Sequence, residues 1–242
     1  MHPFLFLTFS LSIAIALASY GNEPAPAGAW RHLERHADGD ITHILLFSGG
    51  YFSHTEHKTE TGSFISTRGG SWHINGDGMV VEYEFDTRES ASVGRVEKYK
   101  VSFTNNELML EASGDVPKVW NAFDTELSSP LYGPWLFSGR ENNGEISRRN
   151  TDQPRKTMKL LTGNRFQWIA YNTETKEFFG TGGGSYTAVD GVYTERIEFF
   201  SRDNNRVGAE LSFGYSVDGD DWHHRGKSSA GEPMYEIWSR RK

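Results

Sequence analysis

His54 and Glu56 are separated by one residue, so in a β-strand both side chains lie on the same face. An imidazole beside a carboxylate can act as a general base or supply two ligands to a metal. His57 falls on the opposite face, so this strand alone offers no third ligand. A metal would need a further histidine, such as His43 or His73, which the sequence does not bring to the pair. We therefore predict no metal site and no cofactor.

The strand that holds this pair belongs to an internal duplication. A shift of 114 positions aligns residues 47–108 with 161–222 without a gap, with 16 identities over 62 positions. Within it, Gly69-Gly70-Ser71 matches Gly183-Gly184-Ser185. The second copy carries nine extra residues before this core, which we place in a long polar loop at Arg140–Arg155. The two copies should share one fold, so equivalent positions can be compared.

The first copy carries charged groups where the second copy is mostly apolar. His54 replaces Trp168, Glu97 replaces Leu211, and Arg95 also stands where its twin is apolar. Buried charge costs several kcal/mol per ion unless it is paired, so these groups lie at a solvated barrel mouth or form a ligand site. The alternatives are solvated strand ends that protrude past the core, or a register that is shifted by one residue. The candidate ligand-binding residues are His54, Glu56, Tyr83, Arg95, Glu97, Tyr99, Trp168 and Glu195, with His54 and Glu56 as catalytic candidates.

Both copies have a two-residue hydrophobic period and no helical one. Residues 79–85 alternate apolar and polar side chains, which predicts that Phe85 and its twin Phe199 line a barrel interior. Seven or eight short strands per copy, joined by Gly- and Asn-containing turns, predict an all-β protein. We expect two tandem antiparallel meander β-barrels, at 28–125 and 133–242. The alternative is one large barrel built from both halves.

Each copy opens with the sequence Gly-X-Trp, at Trp30 and at Trp135, before an aromatic-rich meander. This pattern resembles the lipocalin/calycin superfamily of ligand-binding β-barrels. The resemblance implies a lipocalin-like fold with a small-molecule pocket at one barrel mouth. It also implies that an arginine of the last strand packs over the tryptophan, and Arg240 or Arg241 could cover Trp135 in this way.

Composition and the amino terminus limit the partners and the compartment. The 242-residue chain has a net charge of −7, which argues against a nucleic-acid partner, and it has no cysteine for disulfides or thiolate chemistry. Residues 4–18 are almost entirely apolar and end in Ala16-Leu17-Ala18. This is typical of a cleaved signal peptide at 1–18, with an uncleaved anchor as the alternative. We expect a secreted or periplasmic protein without a membrane span.

Three functions are compatible with these features. The first is an exported protein that binds a small apolar or glycan-like ligand in a lipocalin-like barrel. The second is a β-barrel isomerase, lyase or hydrolase that uses His54 and Glu56 as acid and base. The third is an interaction module of the cell envelope. The sequence fixes neither the ligand nor the oligomeric state. The aromatic residues that could stack on sugars or pack in a core are Trp72, Trp168, Trp222, Tyr171 and Tyr186.

Overall fold

The computed structural model describes residues 26–242 except 77, 105, 113, 115, 125–126 and 228–230, so the predicted signal peptide lies outside the described residues. The described chain is built of strands and two short 3-10 turns, and it contains no helix that is long and apolar enough to span a membrane. The strands are β1 (Gly28–Glu34), β2 (Ile41–Ser48), β3 (Tyr51–Lys58), β4 (Phe64–Asn75), β5 (Gly78–Asp86), β6 (Val96–Phe103), β7 (Glu107–Ala112), β8 (Lys118–Asp124), β9 (Gly133–Asn142), β10 (Glu145–Arg148), β11 (Arg155–Leu161), β12 (Arg165–Asn172), β13 (Phe178–Val189), β14 (Val192–Phe200), β15 (Glu210–Asp218), β16 (Asp221–Lys227) and β17 (Pro233–Arg240). The 3-10 turns are Ser90–Ser92 and Asn204–Arg206.

The strands form two antiparallel meander barrels, one after the other along the chain. β1 to β8 close into the first barrel through pairing of β1 with β8. β9 and β11 to β17 close into the second through pairing of β9 with β17, and β10 pairs with the far end of β9. The predicted all-β class with tandem barrels is confirmed. One large barrel is excluded for the described strands, because each of their ladders lies within one half.

The internal repeat extends to the strand boundaries. β2 to β7 each begin 114 residues before β11 to β16, as Gly78 and Val192 do at the start of β5 and β14. The nine additional residues lie between β9 and β11. The long loop predicted at Arg140–Arg155 is a hairpin over much of its length. Asn143 and Gly144 adopt positive φ angles of 54° and 82° and turn β9 into β10.

Matching β-bulges in β5 and β14 change the face that each strand presents. Tyr83 and Phe85 pair with consecutive residues of β4, so Glu84 is an extra residue in the ladder. The equivalent bulge in β14 is at Glu198. A bulge interrupts the alternation of side chains between the two faces of the sheet. Tyr83 and Phe85, which flank the bulge, therefore face opposite sides of the sheet. Phe85 and Phe199 therefore lie between the barrels and not inside them, which corrects the predicted interior face.

The contact between the two barrels has approximate two-fold symmetry. Phe64 stacks on its own equivalent, Phe178, with ring centroids 6.2 Å apart and 8° between the ring planes. The aromatic contacts around this pair are reciprocal, as in a symmetric dimer. They join Phe85 to Tyr171, and Phe199 to His57, which is the equivalent of Tyr171.

Polar side chains also connect the barrels. The buried Gln167 donates a hydrogen bond to Thr67 and accepts one from Thr55, each 3.0 Å long. Arg241 forms an ion pair with Glu84, with 2.6 Å between Arg241 Nη2 and Glu84 Oε1. These contacts satisfy polar groups that the packed interface removes from water.

The base of the second barrel contains the predicted tryptophan and arginine. Trp135 is fully buried, and the guanidinium carbon of Arg240 lies 4.1 Å from its ring centroid. This prediction is confirmed for Arg240, whereas Arg241 crosses to the other barrel. In the first barrel, the residue paired with Trp30 on the last strand is Ala122, so this arginine has no counterpart there.

Candidate functional site

The first barrel contains a cavity of about 560 Å³ that opens to solvent, and every strand from β2 to β8 contributes to it. One part of its wall is apolar and the other carries charged and hydroxyl groups. The apolar part includes Leu45, Phe47, Phe52, Met79, Val81, Leu110 and Trp120. The polar part includes His54, Arg68, Tyr83, Glu97, Tyr99 and Lys118.

The second barrel fills its lumen with its own side chains. Lys159, the equivalent of Leu45, lies 2.7 Å from Glu195, the equivalent of Val81. Both side chains are buried, and the Lys159 ammonium is 5.0–5.2 Å from the ring centroids of three aromatic residues. A smaller cavity of about 250 Å³ remains, bordered by the candidate residues Trp168 and Glu195. The three rings belong to Tyr193, Trp222 and Trp238.

Three predicted site residues meet in the wall of the first cavity. The hydroxyls of Tyr83 and Tyr99 lie 2.9 Å and 2.8 Å from the same oxygen of Glu97, and 2.8 Å from each other. Burial raises the pKa of both tyrosines, so they remain protonated donors at neutral pH. The Glu97 carboxylate is therefore held in place by two phenols.

Arg68 is the main site residue that the sequence comparison missed. It lines the cavity from β4, paired in register with His54, and its guanidinium carbon is 5.4 Å from the Tyr83 ring centroid. Among the described residues it has no hydrogen-bonding or ion-pair partner. Its equivalent is Gly182, where a Cβ atom would collide with Trp168. This exchange of glycine for arginine was visible in the aligned copies and could have revealed the site.

Arg95 lies outside the cavity, contrary to expectation. It follows the 3-10 turn and Gly94, whose φ of +85° belongs to the turn, and it precedes the first residue of β6. Its side chain therefore does not follow the alternating inward and outward directions of the side chains in β6. Its exposed side chain lies 3.5 Å from Glu89. Arg68 supplies the guanidinium that was expected from Arg95.

A compact cluster of two histidines and one carboxylate adjoins the cavity. His43 Nδ1 is 3.2 Å from His54 Nε2, and Glu56 Oε1 lies 3.8 Å and 3.9 Å from these two nitrogens. The other ring nitrogen of His43 lies 2.8 Å from Glu34 Oε2. Arg88 binds the second oxygen of Glu56. Strands β2 and β3 thus bring His43 to the predicted His54 and Glu56 pair.

The environment keeps both histidines of the cluster neutral near neutral pH. Burial lowers the pKa of His54 well below its usual value, and Arg68 adds to this effect. The pKa of His43 is lowered as well, chiefly by burial. The indole ring of Trp120 lies edge-on to His54 at 5.2 Å, and its buried Nε1 has no partner among the described residues. His73, the other histidine considered, is exposed on β4.

Most aromatic residues considered for sugar stacking belong to the cores. Trp222 and Tyr171 are fully buried, and Tyr186 is 3% exposed. These three side chains therefore serve packing. Trp72 and Trp168 are only partly buried, and Trp72 donates a hydrogen bond to the backbone oxygen of Tyr51.

No protein-family model matches the chain, and comparison with curated proteins finds no similar sequence.

Proposed function

We propose that the first barrel binds a small molecule with an apolar body and an acidic group such as a carboxylate. Arg68 carries this proposal, because its guanidinium lines the cavity without a hydrogen-bonding or ion-pair partner among the described residues. A guanidinium presents five N–H donors in a planar fork that fits a carboxylate through two parallel hydrogen bonds. Arg68 is half-buried, and hydrogen bonds between a guanidinium and a carboxylate are roughly twice as strong as those between neutral groups, so an anionic ligand would be favoured there.

The rest of the wall supports an amphipathic ligand. The volume of about 560 Å³ is within the range of small-molecule sites, roughly 300–1,000 Å³. Phe47, Phe52 and Met79 would contact the apolar body of the ligand. Glu97, held by two tyrosines, would accept a hydrogen bond from a hydroxyl or amine group, which adds selectivity.

The same proposal includes a lipocalin-like origin and export through the signal peptide. The eight-strand closure, the two Gly-X-Trp sequences and the contact of Arg240 with Trp135 support the resemblance. The second barrel, whose lumen is filled, would act as a scaffold for the binding barrel.

A matched ligand series tests this proposal. We expect a medium-chain or aromatic carboxylic acid to raise the melting temperature of the protein, and its uncharged amide to have little effect. At 100 times its dissociation constant, the acid would add about 2.7 kcal/mol to the free energy of unfolding. Arg68→Met should abolish this response, whereas Arg196→Met, an exposed arginine of β14, should retain it. Equal stabilisation by acids and amides would contradict the proposal, as would an unchanged response of Arg68→Met.

The acid–base enzyme and the cell-envelope module stay predictions. His54 Nε2 is already within hydrogen-bonding distance of His43, and Glu56 is engaged by Arg88. His54 lines the cavity but Glu56 does not, so the two groups do not face a molecule in the cavity together, and we place binding first.

A further inference from the structure

The three atoms of the His43, His54 and Glu56 cluster form a nearly equilateral triangle with edges of 3.2, 3.8 and 3.9 Å. A cation in the plane of the three atoms and equidistant from them would lie about 2.1 Å from each, close to the bond lengths of Zn²⁺ to imidazole nitrogen and carboxylate oxygen. The cluster therefore has nearly the separations of a metal site, and a tetrahedral cation would need Glu56 to move closer to the histidines by about half an ångström.

The surroundings orient these atoms as they do in metal sites. Glu34 accepts from His43 Nε2 at 2.8 Å, which leaves the lone pair of Nδ1 directed to the cluster. Such carboxylate–histidine pairs commonly support a metal-bound histidine. Arg88 holds the other oxygen of Glu56, so Oε1 is left for the cation. The side chains of His43, His54 and Glu56 are only 3%, 11% and 13% exposed, so the site is largely shielded from bulk water.

We propose that His43, His54 and Glu56 bind a divalent transition-metal cation of the Zn²⁺ class, with Glu34 as a positioning residue. Two imidazoles and one carboxylate are a ligand set that such cations accept, and three protein ligands leave a coordination position for water or another molecule. Mg²⁺ and Ca²⁺ prefer sets made of oxygen alone, so the two nitrogens disfavour them. The site does not depend on the acidic ligand proposed for Arg68.

Positive charge near the cluster limits the affinity that we expect for a divalent cation. Arg68, Arg88 and Lys118 oppose a divalent cation, whereas Glu34 and Glu56 favour it. We therefore expect weaker binding than in a closed structural site with four ligands.

Calorimetric titration of the untagged protein with ZnCl₂ tests the proposal. We expect one Zn²⁺ per chain and no comparable heat with MgCl₂. His54→Ala and Glu56→Gln should each abolish saturable binding, and Glu34→Gln should weaken it by about 10- to 100-fold. The matched control is His73→Ala, which removes an exposed histidine and should bind like the wild type. Arg68→Met should still bind Zn²⁺, which separates this site from the ligand proposal.

The wild-type protein also gives a readout that needs no substitution. Co²⁺ bound by two imidazoles and one carboxylate should produce ligand-field absorption bands that Zn²⁺ removes by competition. Circular dichroism without metal would establish that each variant is folded. The proposal is overturned if the wild type binds neither cation, or if folded His54→Ala and Glu56→Gln variants bind Zn²⁺ as the wild type does.

Discussion

Leu45 and Lys159 occupy equivalent positions in the two barrels, and only Lys159 reaches across its lumen to a carboxylate, 2.7 Å away on Glu195. In the first barrel, Leu45 faces Val81 across an open cavity. These two exchanges place a buried ion pair in the second lumen. Larger aromatic side chains add to the filling, because Tyr193 and Trp222 stand where the first barrel has Met79 and Leu108.

We predict that Lys159→Leu alone destabilises the protein by about 3–5 kcal/mol, because it leaves the buried Glu195 without its cation and with only the hydrogen bond from Tyr193. The double variant Lys159→Leu, Glu195→Val reproduces the first barrel at both positions and should recover at least half of this loss. Urea unfolding of the wild type, both single variants and the double variant would measure the coupling energy. A double variant no more stable than Lys159→Leu would show that the pair is not the source of the loss.

Trp135→Ala should lower the free energy of unfolding by about 3–5 kcal/mol, since it empties a large buried site. Arg240→Met keeps most of the side-chain volume and removes the cation–π contact, with an expected loss of about 0.5–2 kcal/mol. Arg196→Met, at an exposed position, should change stability by less than about 0.5 kcal/mol. If chemical denaturation gives Arg240→Met and Arg196→Met the same free energy of unfolding, the contact of Arg240 with Trp135 does not stabilise the protein.

The pKa of His224 is lowered by burial and by the neighbouring Lys159, while Glu236 and Glu195 oppose the effect. An unfolded histidine titrates near 6.5, so below about pH 6.5 the unfolded chain binds a proton that the folded chain excludes. Stability should therefore fall on acidification, by up to about 1.4 kcal/mol per pH unit until the folded pKa is reached, with no contribution at higher pH.

His224→Phe should reduce the loss of stability between pH 7.5 and pH 5.5, because the ring already packs on Phe213 at 4.2 Å and the titrating group is gone. The comparison is a set of urea unfolding curves at the two pH values. His73→Phe, at an exposed position, should keep the pH dependence of the wild type. If His224→Phe and the wild type show the same pH dependence of stability, His224 is not the group responsible for the loss at low pH.

The ion pair between Glu84 and Arg241 should contribute to stability across the interface. Its side chains are 17% and 9% exposed, and Tyr171 also donates to Glu84. Arg241→Met should cost about 1.5–3 kcal/mol, the usual value for a hydrogen bond to a charged group. Lys242→Ala removes an exposed ion pair with Asp220 and should leave thermal unfolding unchanged. An equal effect of the two substitutions would argue against a special role for the interface pair.

The sequence predicts the barrels well because duplication and alternation are both visible along one chain. The prediction from sequence fails where the alternation of inward and outward side chains is interrupted. The bulge at Glu84 moves Phe85 out of the interior, and the turn before β6 takes Arg95 away from the cavity. His43 joins His54 through pairing of β2 with β3, a register that spacing alone does not give. Arg68 stands opposite a glycine in the aligned copies, but its place beside His54 depends on the pairing of β3 with β4, which the alignment does not give.

The stacking of Phe64 on its own equivalent Phe178 gives the interface the form of a two-fold homodimer. In a true homodimer any substitution appears in both subunits, so a lysine in place of Leu45 would enter both cavities. Joined in one chain, the halves meet at a high effective concentration that no longer depends on how much protein is made. Each half is then free to change alone. The tandem arrangement thus permits a division of labour in which one barrel keeps an open interior and the other becomes its permanent support.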